Sequence, residues 1–315
     1  MRSWFFLFCC NLMWALQFTC IKLVQDQVGP MFTVWGPMVL AMFMLIPFVM
    51  REQPVQSDVS PRKAVWIYFL LAVVGVFPAQ VMMTWGTRMS LASNAAVINL
   101  TLPVATAMFA VIFLREKMTL IRWISFAVAM SGVLLCSGND LRGLSFGSSY
   151  LAGNLLIFAA TLGSAFYNSY GKKALEFHSP MRMMFWTYVA VCSIMAPVVF
   201  IEERAVFSAV PHFTMQTWIG LGLLTIFHNF LSMILFLKAL KDLDAIQASL
   251  SNYLITFFGL PIAAIWLHEK LSVAAIIGGV LVLASTLMIT VWEELRPARR
   301  TMAPHAGECP AETIQ

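Results

Sequence analysis

The stretches FLREKMTL at residues 113–120 and WLHEKLSV at residues 266–273 are two versions of one short pattern. Each ends a long apolar run and reads aromatic residue, Leu, Arg or His, Glu, Lys, apolar residue, hydroxyl residue, apolar residue. Glu116 and Glu269 are 153 positions apart in a chain of 315 residues. Because a pattern that returns after about half of the chain indicates an internal repeat, we expect two halves of similar structure.

The composition is that of a membrane protein. Hydrophobic residues make up 60% of the chain and charged residues 11%, whereas a soluble domain carries about 25% charged residues. The apolar runs are long and do not alternate as barrel strands do, and a helix needs about 20 mainly apolar residues to cross a bilayer. We therefore predict an all-α membrane protein with ten transmembrane helices. The predicted spans are Trp4–Val24, Met31–Met50, Ala64–Trp85, Ala92–Leu114, Ile121–Gly138, Leu151–Gly171, Met181–Ile201, Thr217–Lys238, Ala245–Trp266 and Val273–Trp292.

The basic residues indicate how these spans are oriented. With both termini in the cytoplasm, 15 of the 20 Lys and Arg residues fall in cytoplasmic segments and 5 in outer ones, as the positive-inside rule requires for short loops. The predicted location is the cell inner (plasma) membrane, multi-pass, with both termini cytoplasmic. The net charge of +5 follows from this topology, so we expect a lipid bilayer and no nucleic acid as partner.

The six cysteines form no metal-ligand spacing. Free thiols acting as small apolar side chains account for them, so neither a metal nor a cofactor is expected. We expect a monomer or a weak dimer.

The repeat extends over most of the chain. An offset of 153 pairs Asn99 with Asn252, and an offset of 150 pairs Pro30 with Pro180. Each half holds five predicted spans, an odd number, so the second half enters the membrane in the opposite sense, as in many transporters. The predicted division is a first five-helix repeat at 1–138, a connecting loop at 139–150, a second repeat at 151–292 and a cytoplasmic tail at 293–315. The two repeats form one membrane domain.

Four longer stretches carry a resemblance to a known family: NLMWALQFTCIKLV (11–24), LPVATAMFAVIFLREKMTLIRWISFAVAMSGVLL (102–135), GNLLIFAATLGSAFYNSYGKKAL (153–175) and LHEKLSVAAIIGGVLVLASTLMI (267–289). In their order and doubling they resemble the EamA-like members of the drug/metabolite transporter superfamily. The resemblance implies that helices 1, 3, 4, 6, 8 and 9 surround a central cavity, with helices 5 and 10 peripheral. The chain departs from the family pattern at VWGPMV (34–39), which lacks an arginine, and at Thr256, which stands where a proline is common. We therefore expect substrate recognition to differ from that of better-known members.

Polar residues recur along one face of several spans. Thr225, His228, Asn229 and Ser232 are spaced i, i+3, i+4 and i+7, which places them on one face of an α-helix. Helices 3, 6 and 9 carry similar stripes. Together with the resemblance, the stripes predict these substrate-binding residues: Gln80, Thr84, Asn99, Thr161, Ser164, Asn168, Thr225, His228, Asn229, Ser232, Ser249, Asn252 and Thr256. Helix packing through amide and hydroxyl hydrogen bonds is the alternative interpretation.

Acidic residues are placed only at the edges of the predicted membrane domain. All fifteen Asp and Glu lie in loops, at span ends or in the tail, whereas proton- or sodium-driven carriers usually place one at membrane depth. His228 is the only ionisable side chain near a span centre, and it is either a proton relay or a neutral hydrogen-bond partner. Glu116 and Glu269 are interpreted as turn and orientation markers.

Two other classes of protein fit less well. An intramembrane enzyme would need paired acids, a His-Asp pair or a metal cluster at depth, and an ungated channel or scaffold has no need of a doubled inverted repeat. We therefore predict a transporter of small organic metabolites, not an enzyme. It is expected to export amino acids or related neutral or zwitterionic compounds by alternating access. The alternative is a proton-coupled drug or amine efflux carrier that uses His228.

Overall fold

The computed structural model describes residues 2–52, 60–89, 98, 101–136, 148–255, 257–258, 262 and 273–295, and in these ranges every regular element is a helix. The predicted all-α membrane fold is confirmed. We number ten longer helices of the described residues: α1 (Arg2–Val24), α2 (Pro30–Arg51), α3 (Pro61–Leu70 continuing to Met83–Met89), α4 (Leu102–Leu114), α5 (Leu120–Cys136), α6 (Ser148–Ala174), α7 (Pro180–Glu202), α8 (Met215–Asp242), α9 (Ala245–Ser251) and α10 (Val273–Leu295). A short helix, Ala205–Ala209, and a 3₁₀ turn, Val210–His212, lie between α7 and α8.

Six helices in the described ranges (α1, α2, α3, α6, α7 and α8) are long and apolar enough to cross a membrane, and α4, α5 and α10 contain shorter apolar helices. The predicted spans Ala92–Leu114 and Ala245–Trp266 run partly over residues outside these ranges. Helices α2, α3 and α7 begin at Pro30, Pro61 and Pro180. Proline suits the first helical position because its missing N–H would have no partner there.

The internal repeat is visible in the backbone hydrogen bonds. Val28 N donates to Val24 O at 2.9 Å after α1, and His178 N donates to Ala174 O at 3.0 Å after α6. The residues of the second bond lie 150 positions after those of the first, which is the offset that the sequence indicates. The turns that follow α1 and α6 therefore share local geometry even where their side chains differ.

Helices α3 and α8 both contain π-helical turns at the same place in the repeat. The π-helical segments are Leu71–Val76 and Pro78–Met82 in α3 and Leu224–Leu231 in α8. Leu71 and Leu224, where they begin, are 153 positions apart. A π turn is a rare local widening that often accompanies a functional site, and here it occurs in both halves.

Packing pairs each half with the other. Helix α2 packs against α7, α1 against α8, α3 against α6, and α5 against α10. A Cβ added to Gly132 on α5 would lie 2.7 Å from the carbonyl oxygen of Gly278 on α10, so only glycine permits this approach.

We call the end of the bundle with Arg2, Arg51 and Asp242 the N-terminal face, and the end with Val24, Pro30 and Glu202 the opposite face.

Large apolar side chains cover the outside of the bundle. Phe5, Phe43, Trp66 and Phe200 are each at least half exposed, an arrangement that lipid tolerates and water does not. Inside, Tyr188, Phe236, Met183 and Met184 are fully buried.

Candidate functional site

A narrow, partly open cleft lies between α1, α2, α3 and α8. Its lining residues are Gln17, Ile21, Thr33, Val34, Gln80, Thr84, Leu224, His228 and Asn229. Thr33 lies in the first turn of α2, and Gln17 lies about two turns before the end of α1. The cleft therefore lies in the half of the bundle nearer the opposite face. None of the nine lining residues is an Asp, Glu, Lys or Arg.

Four of the predicted site residues meet at this cleft, namely Gln80 and Thr84 from α3 and His228 and Asn229 from α8. Sequence reasoning missed Gln17 and Thr33. An isolated amide in the apolar run of α1 was a usable signal for Gln17. Thr33 had no such signal, because the family resemblance places helix 2 outside the set that surrounds the cavity.

The π-helical turns of α8 are held by side chains that bind backbone carbonyls. Asn229 Nδ2 donates to Leu224 O at 2.9 Å, and Tyr188 Oη donates to Asn229 O at 2.8 Å. In α3 the second π segment begins at Pro78, which has no backbone N–H to continue an α-helical ladder. Side chains that insert into the ladder and prolines are recognised causes of such distortions.

Of the four polar residues predicted on one face of α8, only His228 and Asn229 line the cleft. Thr225 and Ser232 are buried beside it, and their hydroxyls donate to the backbone carbonyls of Leu221 and His228. The prediction assumed α-helical spacing, whereas residues 224–231 form π turns. The wider turns change which positions share a face.

The predicted residues of α6 lie outside the lining of the cleft. Thr161 is fully buried and donates to Ile157 O at 2.9 Å, Ser164 donates to Ala160 O at 3.2 Å, and Asn168 is buried. A Cβ added to Gly163 would lie 2.9 Å from Gly75 O on α3. Helix α6 therefore packs closely on α3 at Gly163, while Thr161 and Ser164 bond within α6, and none of the three predicted residues lines the cleft.

Helix α9 presents a separate group of buried polar residues. Ser249 donates to Ile246 O at 2.8 Å, and Ser251 accepts a bond of 2.9 Å from Asn11 Nδ2 on α1. Asn252 is buried where the helix is interrupted, and its Oδ1 has no partner among the described residues. The predicted site residues Asn99 and Thr256 lie outside the described residues.

Carboxylates from one half bind the start of helices in the other. On the opposite face, Glu203 accepts from Met31 N at 2.9 Å and Phe32 N at 2.8 Å, the first turn of α2. A Cβ on Gly29 would lie 2.3 Å from Glu203 Cδ, so the contact requires glycine. On the N-terminal face, Ser179 Oγ donates to Glu52 Oε2 at 2.6 Å before α7. Each contact joins the two repeats at one end of the molecule.

Glu116 forms a third contact of this kind, which changes its interpretation as a turn marker. Its carboxylate accepts from Ala245 N at 2.8 Å and Ile246 N at 3.1 Å, at the start of α9. Arg122 pairs with Asp244 beside it. Burial, and then the charge of Asp244, raises the pKa of the Glu116 carboxyl, while the two backbone hydrogen bonds oppose that rise. The described part of the chain does not include its counterpart Glu269.

Comparisons with known proteins agree with this architecture. A model of the EamA-like transporter family matches residues 1–138 and again residues 151–291. The chain is 24% identical over 258 residues to the uncharacterized transporter YyaM of Bacillus subtilis, covering 80% of this chain and 81% of that protein. It is 25% identical over 222 residues to a probable terminal-alkyne amino-acid exporter of Streptantibioticus cattleyicolor, covering 70% of this chain and 71% of that one. A crystal structure with 14% identity aligns with a TM-score of 0.75 over 94% of this chain and 99% of that chain, which shows a shared fold.

Proposed function

The chain belongs to the EamA-like transporter family, and on this basis we propose that it exports amino acids or related neutral or zwitterionic compounds by alternating access. The family is one of membrane transporters and not of enzymes. The finer proposal concerns the substrate class, the direction and the mechanism.

The observation that carries the proposal is the uncharged polar lining of the cleft. Gln17, Thr33, Gln80, Thr84, His228 and Asn229 supply amide, hydroxyl and imidazole groups. A ligand with net charge would enter a low-dielectric site without a fixed partner to offset its desolvation. A neutral or zwitterionic ligand has no net charge to compensate, so it fits this lining better.

A relative supports the amino-acid class and the export direction. The protein of Streptantibioticus cattleyicolor that aligns with 70% of this chain is named a probable terminal-alkyne amino-acid exporter. The departures at VWGPMV and Thr256 remain the reason to expect a substrate preference of its own.

The contacts between repeats support alternating access. Glu203 joins the halves on the opposite face, and Glu52 and Glu116 join them on the N-terminal face. Because each half contributes helices to both faces, rocking one half against the other would break contacts at one end and keep those at the other.

Transport by the purified chain in proteoliposomes tests the function. We expect counterflow of at least one amino acid without an imposed ion gradient, and none in protein-free vesicles. The alternative is a proton-coupled amine carrier, favoured by the position of His228 in the cleft. It predicts accumulation of amines only under an imposed proton gradient. A screen in which neither amino acids nor amines move would contradict both functions.

We also propose that both termini face the cytoplasm of an inner-membrane protein, as a monomer or weak dimer. Ser208 is exposed between α7 and α8, and Lys63 is exposed in the first turn of α3. In a cysteine-free background, Ser208→Cys should react with a membrane-impermeant maleimide on intact cells, and Lys63→Cys only after permeabilisation. The reverse pattern would invert the proposed topology.

A further inference from the structure

Three polar side chains of the cleft donate hydrogen bonds to backbone carbonyls. Thr33 Oγ1 donates to Gly29 O at 2.8 Å, and Thr84 Oγ1 donates to Gln80 O at 2.8 Å. Asn229 Nδ2 donates to Leu224 O at 2.9 Å. A hydroxyl whose proton is given to a helix carbonyl keeps its oxygen lone pairs, and the amide keeps its carbonyl oxygen. What these three residues retain for a ligand is therefore mainly acceptor capacity.

His228 adds a further unpaired nitrogen. Its side chain is 7% exposed, it lines the cleft, and Nδ1 is buried without a hydrogen-bond partner among the residues that the structure describes. In the tautomer with its hydrogen on Nε2, Nδ1 is an acceptor. Buried polar atoms without partners are uncommon in folded proteins, so a bound ligand that donates a hydrogen bond would complete this site.

The remaining polar groups at the cleft are adaptable. Gln17 and Gln80 line it, and each side-chain amide offers both a carbonyl oxygen and an NH₂ group. Among the described residues, no Lys, Arg, Asp or Glu lines the cleft. A carboxylate would therefore find no cationic partner there, whereas an ammonium group, with three donors and no acceptor, would meet several acceptors. Neutral oxygen atoms can replace the hydration shell of a monovalent cation.

We propose that the cleft recognises its substrate through an ammonium group, held by Thr33, Thr84, Asn229 and His228. This inference rests on the proposed function and specifies which chemical group of the substrate the cleft recognises. A carboxylate on the substrate faces the mouth of the cleft or the amides of Gln17 and Gln80. Compounds whose nitrogen is acylated have lost the charge and two of the donors, so they bind poorly.

Binding to the full chain in lipid nanodiscs tests the inference, with ligand-induced thermal stabilisation as the readout. The probes are L-leucine and L-phenylalanine, their carboxamides, their N-acetyl derivatives, and the amines isopentylamine and phenethylamine. At pH 6.5 we expect the amino acids to bind, the carboxamides to bind more weakly because they carry a net positive charge, and the N-acetyl compounds to bind at least tenfold more weakly than the amino acids. Binding of the N-acetyl compounds within threefold of the parents would overturn the inference but not the proposed function. Binding of the amines alone would support the inference and overturn the amino-acid class, and binding of none of the probes would overturn both.

Substitutions at Thr84 distinguish the effect of its hydroxyl oxygen on binding from the effect of its side-chain volume. Thr84→Val removes the hydroxyl acceptor at similar side-chain volume and should weaken binding of the best probe about five- to tenfold. Thr84→Ser keeps the hydroxyl and should bind that probe as the wild type does. Ser131→Ala is the matched control, because Ser131 is exposed on α5 and donates to Ala127 O. The thermal midpoint of each variant without a probe reports its folding. A folded Thr84→Val protein that binds as the wild type does would overturn the assignment of this residue, and Thr33→Val tests the second hydroxyl in the same way.

Discussion

At the scale of single residues, His228 is the least ordinary side chain in the cleft. It is almost fully buried on a π-helical turn, and its neighbours in the lining are uncharged. An imidazole can bind a ligand without changing charge, or it can carry a proton. The described cleft residues include no carboxylate that would stabilise the charged form, which favours the neutral role.

We expect His228→Gln to retain most transport activity and the wild-type response to a proton gradient, because glutamine keeps hydrogen-bonding capacity without titrating. The measurement is substrate uptake in proteoliposomes with and without an imposed pH difference. His212→Gln is the control, since His212 is exposed in the loop before α8. Concentrative uptake by the wild type that disappears only in His228→Gln would establish the proton relay instead.

At the scale of helices, the starts of α2 and α9 depend on carboxylates from the other repeat. The first N–H groups of a helix have no partner within it, and Glu203 and Glu116 supply acceptors for two such groups each. These contacts are local capping interactions that also connect the halves. Their loss is therefore expected to affect both stability and transport.

Glu203→Ala should lower the free energy of unfolding by about 1 kcal/mol, a typical value for the loss of a helix cap, and lower Tm by about 2 °C. Glu203→Gln, which keeps one carbonyl oxygen, should lose less. Thermal unfolding in a single detergent measures both. Glu202→Ala is the matched control because Glu202 is the exposed neighbour, and an equal loss in that variant would show that the cap has no special effect.

Glu116 should make stability depend on pH. Its pKa is raised in the folded protein, chiefly by burial, so the folded state holds the proton more tightly than the unfolded chain does. The protonated Glu116 therefore contributes to the free energy of unfolding at low pH, and this contribution is lost as the pH rises through the raised pKa. Glu116→Gln should remove that contribution, so its Tm should gain relative to the wild type as the pH increases from mildly acidic to neutral. A constant difference in Tm across that range would contradict the prediction.

At the scale of the whole molecule, contacts between repeats occur at both ends. Ser3 Oγ donates to Asp242 Oδ2 at 2.8 Å on the N-terminal face. Thr214 N donates to Gln27 Oε1 at 2.8 Å on the opposite face. Both pairs join α1, or the turn that follows it in the first half, to α8 or its preceding loop in the second half. Alternating access requires the two ends to separate in turn.

Covalent links at these pairs should each stop transport. In a cysteine-free background, Ser3→Cys with Asp242→Cys, or Gln27→Cys with Thr214→Cys, would be joined by a short cleavable bifunctional thiol reagent. We expect transport in proteoliposomes to cease after either link forms and to return after cleavage, with single-cysteine variants unaffected. Undiminished transport with a fully formed link would show that the linked ends do not separate during transport.

The sequence by itself determined the membrane class, the helical fold, the doubled five-helix pattern and four of the residues that line the cleft. These follow from composition and from periodicities within single helices, which are local properties. Only the tertiary structure decided that α2 supplies Thr33 to the cleft, that Thr225 and Ser232 do not line it, and that Glu116 and Glu203 bind helix starts. The π turns change which residues share a helix face, and no clear sequence pattern predicts these turns. The carboxylate contacts join residues more than 100 positions apart, so they depend on how the repeats pack.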